Sequence, residues 1–144
     1  MAASIPPSPT STADRPAAEP RARVMLVDDE AMVVRVVARL LERAGYQVRV
    51  FLDPSRALEA ILASPAAFDL LLTDMTMPAM TGIELATEAA RAGSTMPVVL
   101  LSGWVDTEAE QAARAAGIAR ILSKPVQVND LVDVVAELTE STRH

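Results

Sequence analysis

The sequence predicts an α/β domain of (βα)5 type: a doubly wound, five-stranded parallel sheet with helices on both faces. Three observations predict it. Short, wholly apolar runs such as Val24–Val27, Leu70–Leu72 and Val98–Leu101 suit strands buried on both faces. A segment of helical periodicity or helix-capping residues follows each such run. The alternation recurs five times along the chain, which right-handed crossovers satisfy by placing helices on both sides of one sheet.

Each element has its own signal. Val24-Met25-Leu26-Val27 is the first strand, ended by Asp28-Asp29-Glu30. Residues 31–44 follow, with Val33, Val36, Val37, Leu40 and Leu41 at helical spacing and Arg35, Arg39, Glu42 and Arg43 opposite. Gly45 stands where a helix C-cap glycine belongs. Gln47–Phe51 reads as the second strand. Asp53-Pro54 then supplies an N-cap and a first-turn proline for a helix to about Ala63. Leu70–Thr73 is the third strand, ending at Asp74, and a loop from Met75 to Thr81 leads to a helix from Gly82 to about Arg91. Pro97–Leu101 is the fourth strand, ending at Ser102-Gly103. A helix from Thr107 to about Ala116 stops at Gly117. Ile118–Ser123 is the fifth strand. Lys124-Pro125 follows, and an amphipathic helix over Asn129 to about Glu140 closes the series.

The domain is expected over 23–140, with 141–144 as a C-terminal tail. Residues 1–22 hold five of the ten prolines among Ser, Thr and Ala. They offer too little apolar side chain to offset ordering, so a disordered tail or linker is expected there. Composition narrows the function classes. Aromatic residues are 3% against 51% hydrophobic, so the core is aliphatic. A net charge of −6 disfavours direct nucleic-acid binding, which needs a basic face. The absence of Cys removes disulfides, thiolate metal sites and cysteine catalysis. No apolar run reaches the ~18 residues of a membrane span, and the N-terminus lacks the order of a signal peptide. A cytoplasmic protein without membrane insertion is expected. Lys124 is the only lysine, and the only histidine is the terminal His144.

Sites in an open parallel sheet form beyond the carboxyl ends of the strands. Those ends carry Asp28 and Asp29, Asp74, Ser102 and Lys124. Carboxylates gathered in one crevice repel unless a cation neutralises them, and an all-oxygen set suits Mg²⁺. A neutralised carboxylate can attack phosphorus, while an ammonium offsets charge on the transferring group. Taken singly, each residue has a plainer role. An Asp caps a helix, Ser before Gly makes a turn, and Met75, Met77 and Met80 are adaptable packing. Their joint placement favours the site.

The stretches VMLVDDE, LLLTDMTMPAMTG, VVLLSG and ILSKP, in this order, resemble the receiver domain of two-component response regulators. The resemblance covers about Arg23 to Glu140 and implies the flavodoxin-like, CheY-like form of the sheet. It implies Asp74 as phosphoacceptor, with Mg²⁺ held by Asp28, Asp29, Asp74 and the backbone carbonyl of Thr76. Ser102 would be the switch hydroxyl, Lys124 would pair with the phosphoryl group, and Lys124–Pro125 would be cis. The donor would be a histidine kinase or histidine phosphotransfer protein, and the output an altered contact with a downstream protein. Such a chain is no enzyme beyond its own phosphorylation and dephosphorylation. The family commonly carries Tyr or Phe three residues before the lysine, and Ile121 stands there instead.

Four other readings compete. The domain could be the C-terminal receiver of a hybrid histidine kinase, with 1–22 as its linker. A phosphohydrolase with an Asp nucleophile usually carries a second Asp two residues on, where this chain has Thr76. A scaffold that is never phosphorylated would have no need for the full acceptor set. A flavodoxin-like cofactor binder would place phosphate against Asp28-Asp29-Glu30, which repel it. Trp104, the only tryptophan, is expected at the crevice rim, on the loop that moves when Ser102 turns.

Overall fold

The structure is a computed structural model and describes residues 21–143. It alternates β1 (Arg23–Val27), α1 (Ala31–Arg43), β2 (Gln47–Phe51), α2 (Pro54–Ala63), β3 (Leu70–Asp74), α3 (Gly82–Arg91), β4 (Val98–Ser102), α4 (Thr107–Ala115), β5 (Arg120–Ser123) and α5 (Val128–Arg143). All neighbouring strands are parallel, in the order β2-β1-β3-β4-β5. The (βα)5 fold is thus as the apolar runs predict.

Strand alternation divides the core into two layers. Val24, Leu26, Leu70, Leu72, Val99 and Leu101 face α1 and α5, meeting Val37, Leu41, Leu131 and Val135. Met25, Val27, Leu71, Val98 and Leu100 face α2, α3 and α4, meeting Ala57, Ile61, Leu85, Ala89 and Ala113. Strands β3 and β4 are buried at every position, as central strands covered on both sides must be. The edge strands β2 and β5 are more exposed. The caps follow the local signals. Asp53 accepts from the Ser55 N–H at 2.9 Å, and Gly45 and Gly117 take φ of 102° and 82°. A capping box of Thr81 and Glu84 starts α3.

Some boundaries differ from the expectation. Arg21 and Ala22 belong to the packed fold. The Arg21 N–H donates to the Gly45 carbonyl, and Ala22 is fully buried with its carbonyl accepting from the Gln47 N–H. The tail expected over the first residues otherwise lies outside the described residues. Helix α5 runs to Arg143, through residues expected as a tail, and β5 starts at Arg120 rather than Ile118. The buried stripe of α1 is Val34, Val37, Ala38 and Leu41, and Val36, expected inside, is 56% exposed. Both stripes obey the same helical period in so apolar a segment.

One close approach fixes the end of β3. A Cβ on Gly82 would stand 2.5 Å from the Asp74 carbonyl oxygen and 2.8 Å from Leu100 Cδ2. The Gly82 N–H also donates to the Met75 carbonyl at 2.9 Å. Only a residue without a side chain fits there. Gly82→Ala is expected to destabilise the fold by ~1–3 kcal/mol, the usual cost of overpacking, read as a lower urea midpoint. A midpoint equal to that of the unmodified chain would show that α3 can shift freely against β3.

Candidate functional site

The strand order reverses between β1 and β3, so the crevice opens beyond their carboxyl ends. Register sets the heights of the residues there. Val27 pairs with Thr73, Asp74 with Leu101 and Ser102 with Ser123, and the Lys124 N–H donates to the Ser102 carbonyl at 2.8 Å. Asp28, Asp74, Ser102 and Lys124 therefore stand at one level along the rim.

The charged groups meet closely. Lys124 Nζ lies 3.0 Å from Asp74 Oδ1 and 3.2 Å from Asp28 Oδ2. Asp28 is fully buried, and its other oxygen accepts from the Glu30 N–H at 3.0 Å. Asp74 is buried as the last residue of β3, whereas Asp29 is exposed. Ligand oxygens of Asp28, Asp29 and Asp74 all lie within 4.8 Å of one another. Burial is the first cause that pushes the Asp28 carboxyl above its ordinary pKa, and the Asp74 charge adds to it. The Glu30 N–H and the Lys124 ammonium oppose both. Burial works against the Lys124 charge, yet the contacts with Asp74 and Asp28 prevail and hold its pKa up.

Two unit charges 4 Å apart interact by about 4 kcal/mol at an effective dielectric of 20. One ammonium therefore cannot offset a set of three carboxylates on its own. The oxygen-only donors, two of them buried, fit a small, hard divalent cation such as Mg²⁺.

The remaining predicted residues sit on the rim. The Ser102 hydroxyl is buried and turned toward the loop that follows it, donating to the Trp104 carbonyl at 2.6 Å. Thr76 is exposed just beyond β3 and lines an open groove with Met75, Ser102 and Trp104. Met77 is buried, and Met75 and Met80 pack against the same core layer, so all three methionines are packing residues. Ile121 packs there too. Lys124–Pro125 is cis.

Sequence reasoning missed two participants. Glu30 Oε1 reaches within 3.5 Å of Lys124 Nζ, a third carboxylate around the ammonium beside Asp28 and Asp74. Its signal was the unbroken run Asp28-Asp29-Glu30. Gly82, which lets α3 seat against the Asp74 backbone, was visible as a helix start and as the last residue of LLLTDMTMPAMTG, but with no role assigned to it.

The profile of the response regulator receiver domain matches residues 24–136. The chain belongs to that family. Among its relatives, the response regulator receiver protein CpdR of Brucella abortus is 34% identical over 116 residues, covering 81% of this chain and 95% of CpdR. The sensory/regulatory protein RpfC of Xanthomonas campestris is also 34% identical, over 84% of this chain but only 17% of RpfC. The receiver domain thus spans nearly all of one relative and a small part of another. Among solved structures, the chemotaxis protein CheY4 of Vibrio cholerae aligns with a TM-score of 0.74 and 28% identity, over 81% of this chain and 98% of CheY4. The chain is accordingly a receiver domain of two-component signalling.

The ammonium is the chief internal counter-charge of this receiver. Lys124→Gln is expected to lower stability by ~3 kcal/mol without divalent cation, because it strands buried carboxylates. Urea unfolding in a chelator measures this. An unaltered midpoint would mean that solvent already screens Asp28 and Asp74.

Proposed function

We propose that this receiver domain accepts a phosphoryl group on Asp74 from the phosphohistidine of a histidine kinase or histidine phosphotransfer protein. One observation carries the reading. Asp74 ends the central strand at the switch point of the sheet, with the only lysine of the chain 3.0 Å away and a second buried carboxylate on the same ammonium. An Asp74 carboxylate oxygen attacks phosphorus, the P–N bond of the donor breaks, and its electron pair returns to the imidazole nitrogen. An acyl phosphate on Asp74 results. Lys124 stabilises charge on the equatorial oxygens, which is most of what this chemistry asks of a protein.

Asp28, Asp29, Asp74 and the Thr76 carbonyl are the residues to hold Mg²⁺. The cation supplies neutralising charge for a nucleophile and a donor that are both anionic. Ser102 is the hydroxyl that turns to the phosphoryl oxygen. The reading makes the chain a signalling protein that acts at most on its own acyl phosphate, and places it in the cytoplasm, where such donors work. No helix among the described residues is long and apolar enough to cross a membrane. The output is an altered contact with a downstream protein rather than with nucleic acid, in keeping with the net charge of −6.

Incubation with a small acyl phosphate and Mg²⁺ is expected to raise the intact mass by one phosphoryl group, and Asp74→Asn to abolish the gain. Equal labelling of that variant would move the acceptor elsewhere. Mg²⁺ alone is expected to raise the melting temperature, since a cation at about 100 times its Kd stabilises by about 2.7 kcal/mol. Asp29→Ala should shrink that rise. A full rise in Asp29→Ala would remove Asp29 from the metal set.

A further inference from the structure

The Ser102 hydroxyl begins an unbroken run of hydrogen bonds that ends in α4. It donates to the Trp104 carbonyl at 2.6 Å and accepts from the Trp104 N–H at 3.2 Å, so hydroxyl rotation and the Trp104 backbone are linked. The indole Nε1–H of Trp104 donates to Asp106 Oδ2 at 3.1 Å. The other oxygen of that carboxylate accepts from the Ala109 N–H at 2.8 Å, and the Asp106 carbonyl accepts from the Glu110 N–H at 2.9 Å. Asp106 is thus the N-cap of α4 and the acceptor of the indole at once. The Ala109 N–H, and after it the indole, hold the Asp106 carboxyl below the ordinary carboxylate pKa.

The surroundings suit a moving link. Trp104 is 76% exposed, so its indole N–H rather than close packing ties it down. Beyond its two chain neighbours, no heavy atom of the described residues lies within 4 Å of where a Cβ on Gly103 would stand, so the loop has room beside the hinge. Ile121 packs in the core layer behind and offers no polar atom to relay a hydroxyl movement. Trp104 is the only aromatic residue after Phe68.

We propose that Trp104 and Asp106 are positioning residues that tie the Ser102 hydroxyl to the first turn of α4, so that events at Asp74 reach that helix through the indole. The proposal rests on the reading of Ser102 as the hydroxyl that turns to the phosphoryl group. When Ser102 leaves the Trp104 carbonyl, the loop follows, and the indole carries Asp106 and its cap with it.

The test uses the full chain with Mg²⁺, with and without beryllofluoride as the phosphoryl mimic. Fluorine NMR reads occupancy of Asp74, and hydrogen exchange reads the Thr107–Ala112 amides. Trp104→Phe keeps a ring and the cap but loses the indole N–H. Asp106→Ser keeps a cap residue but is too short to reach the indole. In the unmodified chain, beryllofluoride is expected to change exchange across Thr107–Ala112 and to shift the single indole N–H resonance. Both variants should still bind beryllofluoride while losing more than half of the α4 response. A full α4 response in Trp104→Phe would overturn the link, even if Asp106→Ser lost it, because the cap alone would then be responsible. Occupied Asp74 with a silent α4 in the unmodified chain would overturn it too. No beryllofluoride occupancy at all would instead overturn the phosphoacceptor reading on which the link depends.

Discussion

The molecule is organised around an excess of negative charge in a place that solvates it poorly. Asp28 is fully buried, Asp74 is nearly so, and the same Lys124 ammonium touches both. Burial raises the cost of each charge, and proximity raises it again. The sheet pays that cost through the register that sets Val27 beside Thr73 and carries Lys124 in from the far edge, next to Ser102. A group that brings positive charge, or takes part of the negative charge away, finds a site already strained toward receiving it.

Much of this was legible in the sequence because it depends on short-range patterns. Strands buried on both faces read as apolar runs, and the residue that ends each run is by construction at the crevice. Asp28, Asp29, Asp74, Ser102 and Lys124 could therefore be placed together before any coordinates. What the sequence hid was set by packing at longer range. Two stripes of α1 satisfy one helical period, and only contact with the sheet selects Val34 and Ala38 over Val33 and Val36. Arg21 and Ala22 look like the tail before them, yet they close against Gly45 and Gln47 across the sheet bottom. Gly82 closes the stretch LLLTDMTMPAMTG, but its reason, the seat of α3 on the Asp74 backbone, is set by packing.

The rim divides into a rigid and a compliant side. Asp74 is held by β-sheet pairing to Leu101, by the Thr73 hydroxyl on its carbonyl and by the seat of Gly82. In the proposed transfer, a nucleophile fixed in this way would lose little on reaching the reactive geometry. Asp28 is fixed comparably, through the Phe51 carbonyl on its N–H and the Glu30 N–H on its carboxylate. The segment Gly103–Val105 lies between β4 and α4, tied by the Ser102 hydroxyl on the Trp104 backbone and by the Trp104 indole on Asp106.

That asymmetry decides where a charge change at Asp74 can be expressed. Strands β3 and β4, buried throughout, would have to break sheet bonds and open the aliphatic core in order to move. The loop after Ser102 needs only to exchange hydrogen bonds, each worth ~0.5–1.5 kcal/mol net, for others of the same kind. In the proposed switch, a new acceptor at Asp74 would compete with the Trp104 carbonyl for the Ser102 hydroxyl proton. An exchange of like for like is what a two-state element needs if a single group is to tip it. With Ile121 offering no polar relay, the polar route out of the crevice runs along the loop itself and into the first turn of α4.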